Sequence, residues 1–401
     1  MAARGDAHRY LPEDERQIPL AVKHDDPWIL DLIMAAYCVT ETAAAIALAA
    51  VEAHPRAVSY SRDENWYTRT PYRHPLISSC TRVRRGVEGW ADLGLIVHFR
   101  QRPGGLGWRS AFAATDALVA GVQRLILGGP RLKLVEPRAL TILRDATGRD
   151  VPFRQTQAIT RQERRTAGFN ECNTSADVRM AGSDSPFTLA AHMVRIHNGT
   201  FEEGGRYFGM GPSWQNVPGL RKPRPNRRDL LINGEPVAEL DFSQSQPSLL
   251  YAKVGIAPPA DCYDIGNWPR DLAKTAVLTA INAKSRADAI GAIGHNEDMG
   301  LVAEPGSKEA MATAAAMLAA IKRAHKPVAN QFHTGAGLRL MHTESDLAEK
   351  IMADTILKRG IPTLCMHDGF MVPASRKADL EQAMYDAPGR LGLPKLDFKV
   401  A

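Results

Sequence analysis

The sequence predicts a mixed α/β chain of the α+β kind, and three observations carry that expectation. Helical text runs from Pro27 to Ala53 and over most of the second half. A strand passage, Glu235–Phe242, is followed directly by helical text. Near the C-terminus, Asp368-Gly369 lies between the apolar runs Pro362–His367 and Phe370–Pro373, a strong short-range hairpin signal.

Length and composition bound what the chain can be. Its 401 residues suggest two to four domains, and 44% apolar residues suit a sizeable core. Apolar stretches near Ala43–Val51 and Met311–Ile321 are too short to span a bilayer, so no membrane partner is expected. The N-terminal residues lack a hydrophobic signal region, and Cys38, Cys80, Cys172, Cys262 and Cys365 form no CxxC pair. A reducing, cytoplasmic setting (a bacterial or phage-infected cell) is therefore expected. Fifty Lys and Arg against 44 Asp and Glu leave +6, a weak lean towards an acidic partner such as nucleic acid.

Taken in order, residues 1–25 are polar. Thr81–Leu93 reads as a helix ended by Gly94, Leu95–Arg100 as a strand, 103–107 as a Gly-rich turn, Trp108–Phe112 as a return strand and Thr115–Leu127 as a helix. Helix, strand, turn, strand is the order of a winged helix-turn-helix, and Arg82, Arg84, Arg85, Arg100, Arg102 and Arg109 cluster on it. An ordinary α/β lobe with a solvated basic face reads equally well. Residues 131–190 are expected to be helical, with a basic run at Arg161, Arg164 and Arg165. Further helices are expected over Ser245–Val254, Arg270–Ala292, Ser307–Ala329 and Ser345–Lys358.

Two aspartates stand out by context. Asp241 ends an apolar strand ahead of a helix, and Asp368 sits at a hairpin tip. Side by side in one sheet, such carboxylates can hold two Mg²⁺ ions about 3.5–4 Å apart, as in-line phosphoryl or nucleotidyl transfer uses them. Asp-Gly is also what a tight turn wants for its own sake. Arg270 and Lys274, at i and i+4, share a helix face and can meet one polyphosphate; a solvated basic face is the plainer reading.

The stretch GGRYFGMGPSWQNVP, then a basic run, then ELDFSQSQPSLLYA, resembles the palm of family A DNA polymerases, where a Gly-Arg, an "LQNIP"-like segment and a "DYSQIELR"-like turn occur in the same order. Arg270 and Lys274 look like the start of their fingers helix. The ending GLRLMHTESDLAEKIM…GIPTLCMHDGFMVP is similar to the last palm segment, closest to the "HDSF" form of bacteriophage single-subunit RNA polymerases. The resemblance spans about residues 195–380.

It implies a right-hand polymerase: palm at 191–260 and 336–401, fingers at 261–335, a helical thumb-like region at 131–190, and an N-terminal winged-helix-like module at 1–130. It implies that Asp241 and Asp368 are the catalytic metal ligands, with Phe242 lending its carbonyl, for two Mg²⁺ ions or Mn²⁺ in their place. Arg270 and Lys274 would bind the triphosphate, with Gln246, Asn282 and His342 near the sugar. Arg206, Gln215, Asn216 and His367 would contact template and primer. The cations Arg221, Lys222, Arg224, Arg227 and Arg228, with Arg84 and Arg85 of the N-terminal module, would grip phosphates.

Departures from the family bear on the sugar. Gln246 stands where DNA polymerases carry a Glu that blocks the 2′-hydroxyl, Asn282 stands where relatives carry Tyr, Leu278 replaces an aromatic, and Gly369 replaces a second carboxylate. The expected activity is templated nucleotidyl transfer by a monomer acting on DNA template, primer or nascent strand, and nucleoside triphosphates. DNA synthesis leads, and primase or RNA polymerase activity is the alternative. A non-catalytic DNA-binding or replication-initiation protein is the rival from another class.

Overall fold

The computed structural model describes residues 17–68, 74–100, 109–130, 132–219, 225–299, 301 and 303–400. The expected Gly-rich turn at 103–107 and the cations Arg102, Arg221, Lys222 and Arg224 lie outside them. The chain divides into two units, one of Met1–Arg195 with Phe208–Val237, the other of Ile196–Tyr207 with Ala238–Ala401.

In the first unit come β1 (Ile18–Pro19), α1 (Pro27–Tyr37), α2 (Glu41–Ala53), β2 (Val58–Tyr60), α3 (Glu64–Thr68), α4 (Cys80–Asp92), β3 (Ile96–Phe99), β4 (Ser110–Ala114) and α5 (Asp116–Ile126). Helix α2 is alanine-rich and buried almost all round, which marks a central core helix. It starts where Thr40 accepts a hydrogen bond from Ala43 N at 3.3 Å. Helix α4 packs against it through Gly86, where a Cβ would lie 2.8 Å from Ile46 Cδ1. Trp90 of α4, fully buried, donates from Nε1 to Ala43 O at 2.7 Å. The four strands take the order β1-β2-β4-β3, with β4 antiparallel to both neighbours.

The same unit continues with β5 (Thr141–Arg144), β6 (Asp150–Val151), α6 (Gln157–Ser175) and β7 (Val178–Met180). The expected run of helices over 131–190 is thus corrected to one helix and three strands. The Asp145–Arg149 turn explains part of the miss: Asp145 Oδ1 accepts from Thr147 N and Arg149 N and closes the β5–β6 hairpin. The N-terminal segment is pinned by a buried ion pair, Lys23 Nζ to Glu52 Oε1 at 3.0 Å, and Lys23 also donates to the carbonyls of Thr188 and Pro212. That satisfaction matters, because a lone buried ammonium is costly.

Strands β8 (Met193–Asn198), β9 (Thr200–Gly209) and β11 (Glu235–Phe242) run from one unit into the other, and β10 (Leu230–Ile232) pairs the start of β11. The second unit adds α7 (Ser245–Lys253), α8 (Arg270–Asn282), α9 (Arg286–Gly294), α10 (Lys308–Ala324), α11 (Ala336–Met352), β12 (Leu364–Met366), β13 (Gly369–Pro373), α12 (Lys377–Asp386) and β14 (Phe398–Val400). The β12–β13 hairpin lies beside the end of β11, which β14 also pairs.

Several expected helices shift. Arg270–Ala292 is broken in two because Ser285 caps α9, its Oγ accepting from Asp288 N at 3.0 Å. Ser307 is itself the cap of α10, and α11 begins nine residues before the expected Ser345, straight after Gly335 at φ +64°. Among the described residues no single helix is long and apolar enough to cross a membrane.

Candidate functional site

Asp241 lies near the end of β11, an edge from which the chain turns tightly into α7. The turn is held by Gln244, which takes φ +52° and accepts from Cys262 N at 2.5 Å while donating to Ala260 O at 3.0 Å. The last ladder pair of the β12–β13 hairpin is Met366↔Gly369, so the two turn residues are His367 and Asp368. This corrects the expected Asp368-Gly369 turn. His367 carries the positive φ, +69°, an uncommon conformation for a non-glycine residue. Gly369 lies instead in the strand, where a Cβ would come within 3.2 Å of Asp241 Oδ1. Phe242 N donates to Asp368 O at 3.2 Å. The two aspartates therefore sit on neighbouring strand ends.

Burial, then the charges of Asp241 and Glu344, push the Asp368 carboxyl up to about 7. Burial, with Arg206 adding to it, lowers His367 to about 4, which leaves its imidazole neutral at pH 7. Negative charge is thus crowded into a poorly solvated corner that holds one nearby guanidinium.

Glu344 is the residue that sequence reasoning missed. It lies on the buried stripe of α11 with Leu340, Leu347 and Ile351, and its residue exposure is only 3%. Its Oε2 accepts from Arg206 Nη2 at 2.5 Å and its Oε1 from Ser245 Oγ at 2.6 Å. A carboxylate in a helix's apolar stripe was a visible flag, since charged residues are rarely buried unpaired. Arg206 follows Gly204, which takes φ +69° and where a Cβ would fall 2.2 Å from Asn198 Oδ1. Only glycine fits there.

The expected triphosphate cations open helix α8. Arg270 forms a fork with Asp261, Nε to Oδ2 at 2.6 Å and Nη2 to Oδ1 at 3.2 Å, and lies 5.3 Å from the Tyr263 ring. Lys274 lies 5.9 Å from the same ring. Burial, with Cys262 adding to it and Arg270 opposing, pushes the Tyr263 hydroxyl up to about 12, and Asp368 contributes to the rise. Lys274, Leu278 and Asn282, spaced i, i+4, i+8, line one open groove of about 660 Å³. Asn282 donates to Gln246 Oε1 at 3.4 Å and to Leu278 O at 2.8 Å, and it packs where a Cβ on Gly337 would clash. His342 Nε2 lies 3.5 Å from Asp346 Oδ2, and its ring 5.9 Å from His197.

The second unit thus contains Asp241, Phe242, Asp368, Arg206, His367, Gln246, Arg270, Lys274, Asn282 and His342. Gln215, Asn216, Arg227, Arg228, Arg84 and Arg85 belong to the first. Gln215 Oε1 accepts from Gly209 N at 3.0 Å, and Asn216 Oδ1 from Ser213 N at 2.8 Å, so both amides already hold their own loop. Arg228 is exposed and Arg227 half-buried beside Gly219. Among the described residues no group of three or more His, Cys, Asp or Glu side chains is placed to hold a metal ion. The site offers two carboxylates, with Glu344 already engaged.

No family model matches the chain, and no curated protein matches it. Among solved structures it is similar to the POL domain of Pol1 from M. smegmatis, whose structure is a complex with DNA primer-template and dNTP. The likeness has a TM-score of 0.34 and 14% identity over 61% of this chain and 51% of that one. The chain thus spans about half the length of that protein.

Proposed function

We propose that the chain transfers nucleotides onto a nucleic-acid 3′-hydroxyl under the direction of a template, as a compact polymerase related to family A. Palm and fingers elements are assigned to 191–260, 336–401 and 261–335, and a thumb-like region to 131–190. DNA synthesis is the leading activity. Primer or RNA synthesis is the second reading, favoured by Gln246 and Asn282, hydrogen-bonded to each other where a sugar-excluding pair is expected.

One observation carries the proposal: Asp241 and Asp368 on adjacent strand ends, with burial and the charges of Asp241 and Glu344 raising the Asp368 carboxyl further than Arg206 lowers it. That is a donor pair which a divalent cation would relieve, so the residues fit Mg²⁺ or Mn²⁺. When bound, such ions would polarise a phosphoryl oxygen and acidify the attacking hydroxyl. Neutral His367 adds no positive charge to oppose a cation beside Asp368. Lys274 presents an ammonium on the groove face of α8, while Arg270 must exchange the Asp261 carboxylate for phosphate. That exposed pair is weak enough to yield.

Cation binding gives the first test. A carboxyl raised from 3.8 to about 7 keeps its proton in the folded state at pH values below about 7, where that proton competes with a metal. Mg²⁺ should therefore stabilise the folded protein little at pH 5 and clearly at pH 8, by about 1.4 kcal/mol at a tenfold excess over Kd. The reading is the difference with and without Mg²⁺ at each pH, because His367, shifted the opposite way, adds stability as pH rises and masks the bare profile. A Mg²⁺ increment that is equal at both pH values, or survives in Asp368→Asn, contradicts the assignment.

Lys274→Ala tests the fingers assignment. Loss of one charge-assisted contact, about 1.5–3 kcal/mol, should raise the nucleotide KM roughly tenfold to a hundredfold and leave template affinity unchanged. A fall in template affinity with unchanged nucleotide KM would make α8 a duplex-gripping element.

A further inference from the structure

We infer that the exposed face of α4 is a docking surface for double-stranded DNA, entering the major groove as a recognition helix. The inference does not rest on the nucleotidyl-transfer reading, because every residue it uses lies in the first unit.

The packing defines which face is free. Cys80, Val83, Gly86, Val87 and Trp90 are buried against the core that contains α2. Arg82, Arg85 and Gly89, at i, i+3 and i+7, form the opposite, exposed stripe, with Arg84 beside it. The helix starts at a Ser79 cap and is followed by the antiparallel β3–β4 hairpin, while β2 pairs the far side of β4. Helix, hairpin and the strand order β2-β4-β3 match the winged-helix arrangement, in which the helix ahead of the hairpin meets the duplex.

Charge favours a polyanion along the middle of this face. Among the described residues Glu88 is its only central acid, and it is shared by Arg62 at 3.2 Å, Arg100 at 3.7 Å and Arg84 at 4.0 Å. Three guanidinium groups on one carboxylate leave excess positive charge, to which Arg82 and Arg85 add. The remaining acids lie at the two ends, with Asp63 and Glu64 close to Cys80 and Asp92 at the C-terminal end.

Gly89 is the second, independent observation. Glycine inside a helix costs stability relative to alanine and usually has a packing reason. Gly86 has one, the close approach of Ile46, but among the described residues a Cβ on Gly89 would meet nothing within 4 Å. Among the described residues no close packing calls for this glycine. A bare patch of helix backbone between arginines instead lets another surface come close, and a B-form major groove is wide enough to admit a helix. The deep, narrow groove of A-form RNA is not.

The test uses the full-length protein and fluorescence anisotropy on a labelled 20-base-pair DNA duplex and its RNA counterpart across a salt series. Arg82→Ala with Arg85→Ala should weaken DNA-duplex binding at least tenfold near 0.1 M salt and flatten the log–log salt slope by about two units. Gly89→Leu should raise the melting temperature, through better helix propensity, and yet weaken DNA-duplex binding at least fivefold. That combination separates docking from structural damage. An unchanged salt slope in the double variant, full duplex affinity in Gly89→Leu, or equal losses on RNA and DNA duplexes would overturn the inference.

Discussion

Asp241→Asn and Asp368→Asn should each lower Mg²⁺-dependent nucleotide incorporation by roughly a hundredfold to a thousandfold or more. Each aspartate contributes one of the two carboxylates at the adjacent ends of β11 and the β12–β13 turn, and Glu344, the other acid whose charge acts on Asp368, is already taken by Arg206 and Ser245. A metal's charge stabilisation is worth several kcal/mol, and about 3–4 kcal/mol corresponds to two or three decades in rate. Single-turnover incorporation at saturating nucleotide reads this directly. Template affinity should change little, and Asp368→Asn, which removes a buried acid, should fold at least as stably as the wild type without metal. Incorporation within tenfold of wild type in either variant would place the chemistry elsewhere.

Glu344→Ala should cost about 3 kcal/mol of folding stability, the second-largest effect expected. Both carboxylate oxygens of Glu344 are engaged at 2.5–2.6 Å with its side chain almost wholly buried, so truncation strands Arg206 and orphans the Ser245 hydroxyl. Arg206 is about one-fifth exposed, which places the cost at the lower end of the range for broken buried pairs. Glu344→Gln should be milder, because its amide oxygen still accepts from Ser245 while only the ion pair is lost. Urea unfolding of the two variants checks the order. A loss below about 0.5 kcal/mol for the alanine variant would show that Glu344 is not what holds Arg206 and the start of α7 in place.

What was legible in the sequence was local. The strand Glu235–Phe242, the helix start at Ser245, the helix start at Arg270 and the hairpin around Asp368 all carried their own periodicity or turn chemistry, and they stand where the pattern placed them. What the sequence did not show depends on partners distant along the chain. Asp-Gly suggested a glycine turn, yet Gly369 lies in the strand close to Asp241, and His367 bears the positive φ instead. Arg270 read as a free cation, but Asp261, nine residues earlier, occupies its fork. Gln215 and Asn216 read as contacts to nucleic acid, but their amides hold the 209–216 loop together. Glu344 lay inside an apolar helix stripe, and only the fold brings Arg206 to it from β9, 138 residues away.

The most direct measurement is extension of a 5′-labelled primer on a single-stranded DNA template, one nucleotide at a time, supplied as dNTP or NTP with Mg²⁺. The proposal expects one-residue extension only by the nucleotide complementary to the template base. Gln246 and Asn282 offer amides to a 2′-hydroxyl in place of a repelling carboxylate, so both sugars should be accepted with efficiencies within about a hundredfold. Folded wild-type protein that incorporates neither sugar in Mg²⁺ or Mn²⁺, or that adds nucleotides regardless of the template base, would contradict templated nucleotidyl transfer at this site.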